Sequence, residues 1–171
     1  MGVYTIREIQ PEELDELIQL CAEHAAFERA EYDSIGKADR LRQFLFEPSP
    51  RLYCLVVQTP AGSLVGYATF AFEFSTWDAG EYLHVDCLYL RPEARCRGLG
   101  WAIAKRIGQL ALDLGATGIQ FQTPTFNTQA IRLYQALGGI RKDKARFYGT
   151  RAVMERFLKT SKSISRQEDG M

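Results

Sequence analysis

The chain has no excess of charge of either sign. Its 171 residues carry 21 Lys+Arg against 21 Asp+Glu. A general nucleic-acid binder shows a basic excess, so the balance disfavours that class and leaves room only for a local basic patch. Long apolar runs are also missing. Nothing approaches the roughly 20 apolar residues that span a bilayer, so no membrane partner is expected. The start, MGVYTIREIQPEEL, has no apolar core segment and carries acids early, so it does not read as a signal peptide. It approaches a myristoylation pattern, but Ile6 stands where Ser or Thr is required. Cysteine and histidine are scarce. Cys21, Cys54, Cys87 and Cys96 form no CxxC pair, and His24 and His84 lie far from any ligand spacing. The expectation is reduced thiols in a cytoplasm, with no metal site and no disulfide frame.

What is present is a hydrophobic content of 46%, enough for a packed core. The length suits one domain, expected over 1–160. The polar stretch 161–171 reads as a mobile tail. Residues 3–9 alternate as a strand. Pro11 then opens a helix with Leu14, Leu17, Ile18, Cys21 and Ala25 at helical spacing, reaching about Phe27. A second helix carries Leu41, Phe44 and Leu45. Residues 52–58 and 64–74 read as a hairpin around the TPAGS turn, and 81–90 as a third long strand. A helix over 101–115, a strand over 118–123 and a helix over 128–138 follow, the last stopped by Gly138 and Gly139. A strand over 145–150 and a short helix from Arg151 close the pattern. Hairpin strands followed by strand–helix–strand–helix–strand predict an α+β fold with a mixed, mostly antiparallel sheet flanked by helices.

The most informative segment is DCLYLRPEARCRGLGWAIAKRIG. A strand ends, a turn carries Arg95, Arg97, Gly98 and Gly100, and a helix begins. The first N–H groups of a helix lack intrahelical partners and sit at the positive end of its dipole. Glycine lets backbone approach a ligand closely, so the turn suits a pyrophosphate. It is no dinucleotide fingerprint, since GLGWAI lacks the third glycine. Nor is it a P-loop, for it lacks the Lys–Ser/Thr pair. A plain strand-to-helix turn with surface arginines is the competing reading.

At these residues the chain resembles the GNAT acetyltransferase superfamily. The family's Arg/Gln-x-x-Gly-x-Gly/Ala turn appears as Arg95-Cys96-Arg97-Gly98-Leu99-Gly100. Asn127, Tyr134 and Gly138 match its second hallmark, an Asn followed by a Tyr seven residues later and a Gly at the helix end. From TIRE to about Thr160 the chain is most similar to the spermidine/spermine N-acetyltransferase group, through AAFERAE, CLVVQTP, GYATFAFEFSTW and RFYGTRAVMERFL. Three segments depart from it. Cys96 replaces a common Gly, QTPTFN replaces the usual apolar–Trp approach to the Asn, and Asp86–Cys87 stands where the group has Glu–Asp.

The resemblance implies an acetyl-CoA-dependent N-acetyltransferase acting on primary amines, commonly as a homodimer. Acetyl-CoA would contact Leu88, Tyr89 and Leu90 on the strand, the Leu90 N–H polarising the thioester carbonyl. The turn and helix start would add Arg95, Cys96, Arg97, Gly98, Leu99, Gly100 and Trp101. Asn127, Ala130 and Tyr134 would complete the set, although Asn127 suits equally a plain helix cap. A primary amine has a pKa near ~10.4, so it arrives protonated and a group must accept its proton. By resemblance that group is Asp86, directly or through water; it could also simply bind the ammonium, or sit on a solvated strand face. Tyr134 matches the family's general acid for the departing thiolate, against the alternative of a core aromatic. Phe27, Glu28, Trp77 and Asp78 are the candidates, with Asp86, for holding a cationic substrate by charge and cation–π contact. A solvated helix end and turn is the bland alternative for them. Cys96 could form a mixed disulfide with CoA or be a passive replacement.

These assignments give the neutral sum a layout. Arg91, Arg95 and Arg97 would face anionic CoA, and Glu28, Asp78 and Asp86 a cationic amine. The amine could be a polyamine, a thialysine-like amino acid or an aminocyclitol. A protein N-acetyltransferase, or a domain that binds acyl-CoA without catalysis, remains the alternative.

Overall fold

A computed structural model describes residues 3–159. Chain contacts divide it after Gly139, and each unit is described by itself.

The first unit is built on five strands in the order β1 (Thr5–Glu8), β2 (Tyr53–Gln58), β3 (Leu64–Ser75), β4 (Gly80–Leu90) and β5 (Ile119–Phe121). The first three pairings are antiparallel, and β4 with β5 is parallel. The sheet is thus mixed and mostly antiparallel, as expected. Helix α1 (Leu14–Phe27) and helix α2 (Lys37–Leu45) follow β1; α3 (Leu99–Asp113) joins β4 to β5; α4 (Thr128–Ala136) follows β5.

Helices cover both faces of the central strands, which explains why β2 and β3 are near-continuous apolar runs rather than alternating ones. On one face Ile103, Ile107 and Ala111 of α3 pack on Leu55, Val57, Ala68, Phe70, Leu83 and Val85. The fully buried Ile103 and Ile107 each contribute about 1.5–3 kcal/mol of burial. On the other face Leu14, Leu17 and Leu20 of α1 pack with Val56, Tyr67 and Tyr89. The apolar stripe expected on α1 ends differently than its spacing suggests: Ile18 and Ala25 are only half-buried, and the buried position near its end is His24.

Strand β4 contains the irregularity that matters most. Thr69 pairs with Cys87 but Phe70 pairs with Val85, so Asp86 is an extra residue bulged out of the ladder. The bulge changes which parity faces α3. Leu83 and Val85 lie on that face before it, Leu88 and Leu90 after it.

The second unit, from Ile140, contains α5 (Arg151–Lys159), the short helix expected there. The strand expected over 145–150 is a correction: residues 140–150 have no regular secondary structure. Alternation alone makes no strand without a ladder partner, and among the described residues none pairs with this segment. The tail expected over 161–171 lies outside the described residues.

Candidate active site

The site forms where β4 and β5 part. Their parallel pairing runs only from Leu83↔Ile119 to Val85↔Phe121, while β4 continues to Leu90. Past Val85, among the described residues, no strand pairs with this edge of β4. Arg91 donates its N–H to Val65 O on β3 at 2.8 Å, so by alternation the Leu90 N–H points away from β3, toward the open edge. The Leu90 carbonyl accepts from Arg95 Nε at 2.8 Å, which ties the strand end to the turn that follows.

That turn needs left-handed backbone at Cys96 (φ 57°) and Gly98 (φ 76°). Glycine adopts this at no steric cost, whereas a cysteine does so at roughly 1–2 kcal/mol. Gly98 is the N-cap of α3 and among the described residues no side chain caps the helix, so its first N–H groups are available to an anion. The first intrahelical bond from this end is Ala102 N–H to Gly98 O at 3.0 Å. Gly100 allows close packing, because a Cβ there would meet Leu133 Cδ2 at 3.2 Å. Leu99 is buried beneath the turn and Trp101 is half out in solvent. The open edge, the uncapped helix and the glycine turn together fit an elongated pyrophosphate-bearing thioester.

The arginines divide unevenly. Arg97 is exposed and donates to the Glu93 carbonyl at 2.9 Å. Arg95 lies over the rings of Phe27 (4.7 Å) and Tyr89 (5.6 Å). Arg91 is a correction: it forms a two-pronged pair with Glu23 (2.8 and 2.9 Å) and donates to the Leu64 carbonyl. That guanidinium is engaged by the Glu23 carboxylate and locks α1 to the strand ends, so it is not the free cation expected there for CoA.

Across the opening, Asn127 caps α4, its Oδ1 accepting from Ala130 N–H at 3.1 Å. The capping alternative for Asn127 is thus what the side-chain oxygen does. Tyr134 stacks on Phe121 with centroids 4.5 Å apart. Burial, then the neighbouring Glu28 and Cys87, push its phenol up to about 12, so it holds its proton at neutral pH. Asp86, exposed on the bulge, accepts from Gln122 Nε2 at 3.1 Å just past the end of β5. Its neighbour Cys87 is half-buried, and burial followed by the Asp86 charge raises its thiol to about 12. Phe27 ends α1 beside Tyr89 and Arg95, and Glu28 follows it with Oε1 3.2 Å from His24 Nε2.

Two candidates are not brought to this place. Trp77 and Asp78 sit at the tip of the β3–β4 hairpin, beyond the Ser75↔Gly80 pair. Trp77 is 95% exposed, and Asp78 accepts from Ser75 Oγ at 2.6 Å. From Gly80 to Asp86 the strand rises about 20 Å at ~3.4 Å per residue, too far for either to share a small substrate with Asp86 in one chain. Conversely, Tyr67, Phe121, Gln122 and His24 belong to the site's surroundings and were missed. For His24 a signal existed in its i,i+4 spacing to Glu28. Among the described residues no cluster of His, Cys, Asp and Glu could hold a metal, and no helix is long and apolar enough to cross a membrane.

Residues 12–139 match the model of the acetyltransferase (GNAT) family. Thialysine N-epsilon-acetyltransferase of Bos taurus is 30% identical over 145 residues, covering 81% of this chain and 85% of that one. A spermidine/spermine N(1)-acetyltransferase-like protein 1 of Homo sapiens is 28% identical, covering 82% of this chain and 21% of its own length. In three dimensions an aminoglycoside N-acetyltransferase solved with CoA superposes with a TM-score of 0.70 at 17% identity, over 88% of this chain and 97% of that one. An aminoglycoside acetyltransferase from an uncultured soil metagenomic sample gives 0.72 at 18%, over 86% and 95%.

Proposed function

Because the chain belongs to the acetyltransferase (GNAT) family, we propose that it moves an acetyl group from acetyl-CoA to the primary amine of a small cationic molecule, with polyamines, thialysine-like amino acids and aminocyclitols as the candidate classes. The observation that carries this reading is the open edge of β4, with the Leu90 N–H facing it. Tyr134 approaches from α4, and Asp86 and Glu28 bring carboxylates from the bulge and the end of α1.

When bound, acetyl-CoA supplies an acetyl group activated as a thioester. The residues divide the remaining work. The uncapped start of α3 and the turn from Arg95 to Gly100 would hold the pyrophosphate, with Arg97 the exposed cation nearest it. The Leu90 N–H would donate to the acetyl carbonyl oxygen, a preorganised contact that strengthens as charge develops there. Asp86 would accept the proton of the incoming ammonium through a water, its short side chain leaving space for one. Tyr134 would keep a proton on Oη for the departing sulfur. Glu28, with the rings of Phe27 and Tyr89 beside it, would attract the cation.

Homodimer formation and residence in the cytoplasm are part of this proposal. The four free cysteines are what a reducing compartment predicts. Release of CoA thiol from acetyl-CoA, followed with a thiol reagent against thialysine, spermidine and an aminocyclitol, tests the function. Turnover with at least one amine is expected. No turnover with any of them, in protein that still binds CoA, would refute it.

A further inference from the structure

His24 stands in the apolar stripe of α1, only 8% exposed. Four elements surround it. Its Nδ1 lies 3.0 Å from the hydroxyl of Tyr67 on β3, and its Nε2 lies 3.2 Å from Glu28 Oε1 at the end of its own helix. Its ring stacks on Tyr89 of β4 at 5.1 Å. The charges of Asp86 on the bulge and Arg95 in the following turn also reach it.

The chemistry of the neighbours fixes which nitrogen carries the proton. A carboxylate can only accept, so Nε2 must donate to Glu28. A neutral imidazole then accepts at Nδ1, and Tyr67 must donate there. Tyr67 is suited to this, because burial raises its phenol far above the ordinary value and keeps the hydroxyl protonated. Burial also holds the imidazole below its usual pKa, against the opposing pull of Glu28 and Asp86, so it is neutral at pH 7. Tyr67, itself 1% exposed, anchors the arrangement to the core.

Helix α1 thus holds two carboxylates in different ways. Glu23 is neutralised by the two-pronged Arg91. Among the described residues Glu28 pairs with no arginine or lysine; its partner is His24. A neutral donor orients a carboxylate without cancelling its charge, and Tyr134 of α4 feels that charge across the opening.

We propose that His24 is a positioning residue for the acceptor amine: through Nε2–H it fixes the Glu28 carboxylate at the mouth of the site while leaving its negative charge available to an ammonium. The proposal rests on the amine-acetylating reading above and adds to it the device that sets affinity for the cation. It carries a pH signature. Protonation of His24 puts a cation beside Glu28, so the KM for the amine rises as pH falls through the imidazole's own value, which burial sets below the ordinary histidine value of about 6.5. The acceptor amine stays protonated throughout that range and contributes no such limb.

The test is steady-state kinetics of the full chain, His24→Leu and His24→Gln from pH 5.5 to 8.5, with thialysine and spermidine as acceptors. Leu removes the donor; Gln keeps an N–H donor that does not titrate. His24→Leu is expected to raise the amine KM about tenfold, as for losing a hydrogen bond to a charged group, with kcat and the KM for acetyl-CoA within twofold. His24→Gln is expected to keep the amine KM within threefold of wild type at pH 7.5 and to lose the rise below pH 6.5. An unchanged KM in His24→Leu overturns the proposal. Equal rises in both variants also overturn it, by assigning His24 to packing alone. A second measurement needs no substrate: the ¹⁵N spectrum of the imidazole at pH 7.5 should show Nε2 protonated and Nδ1 bare. The reverse tautomer beside normal turnover overturns the positioning role alone. The expected tautomer in wild type that acetylates neither of these amines nor an aminocyclitol overturns the amine reading, and the proposal with it.

Discussion

Replacing Tyr134 with Phe removes one hydroxyl and leaves the ring that stacks on Phe121 at 4.5 Å. The size of the effect follows from the acidity of the phenol. Held at about 12, it is a weaker acid than an ordinary thiol near ~8.5 by roughly 3.5 units, or about 5 kcal/mol. Complete proton transfer to a fully formed thiolate would be uphill by that amount. The hydroxyl therefore helps chiefly as a hydrogen-bond donor to the sulfur as its charge develops. A hydrogen bond to a charged group contributes about 1.5–3 kcal/mol. That converts to a kcat loss of about 10- to 150-fold, at or below the low end of the ~10²–10⁴ usual for general acids. The assay is single-turnover release of CoA thiol at saturating acetyl-CoA and amine, beside acetyl-CoA affinity and thermal melting of the same variant. Affinity should stay within threefold, and the melting temperature within about 3 °C, since the ring that stacks on Phe121 is kept. A kcat within twofold of wild type would refute the role of Tyr134. A loss beyond about 10³-fold in a folded variant would refute the argument from acidity, because the phenol would then act as a complete proton donor.

Gly66→Ala should unfold the protein or lower its denaturation midpoint sharply, because a Cβ there meets Leu90 Cδ2 at 2.5 Å and the Tyr89 carbonyl at 2.7 Å; a midpoint equal to wild type would contradict the close β3–β4 approach. Cys96→Gly relieves a left-handed cysteine and should be neutral to stabilising by up to about 1 kcal/mol in urea denaturation, whereas a clear loss would show that the thiol packs usefully. Hydrogen bonding to Arg91 and Arg7 lowers the carboxyl groups of Glu23 and Glu13 below their usual value. Depressed carboxyl groups add stability that is present above about pH 4.5 and is lost as pH falls through their folded values. Arg91→Met should therefore flatten the acid limb of stability between about pH 5 and 3, and an unchanged limb would count against the pair.

What the sequence made legible, and what it hid, both trace to physical causes. The turn from Arg95 to Gly100 was readable because glycine placement reports backbone conformation directly, and Gly98 does adopt the left-handed cap. Helix α3 was readable because Ile103, Ile107 and Ala111 recur at the spacing of one buried face. Arg91 misled because a charge count ignores partners: Glu23 is 68 residues away in the chain and 2.8 Å away in space. Trp77 and Asp78 misled for the opposite reason. They lie within nine residues of Asp86 in sequence, but the extended strand from Gly80 to Asp86 alone spans about 20 Å. His24 was hidden by its place in an apolar stripe, where only its partners, Tyr67 and Glu28, give it meaning.

The bulge was hidden in plain view. In EYLHVDCLYL the apolar positions slip from odd, Leu83 and Val85, to even, Leu88 and Leu90, and a regular strand cannot keep both pairs on one face. One extra residue must lie between them, and the ladder shows that it is Asp86. A residue expelled from a ladder is free to aim its side chain away from both faces of the sheet. The carboxylate is exposed beside the place where β4 and β5 separate because the strand that carries it cannot pair it, so the packing of Leu83, Val85, Leu88 and Leu90 on α3 sets the position of the proposed base.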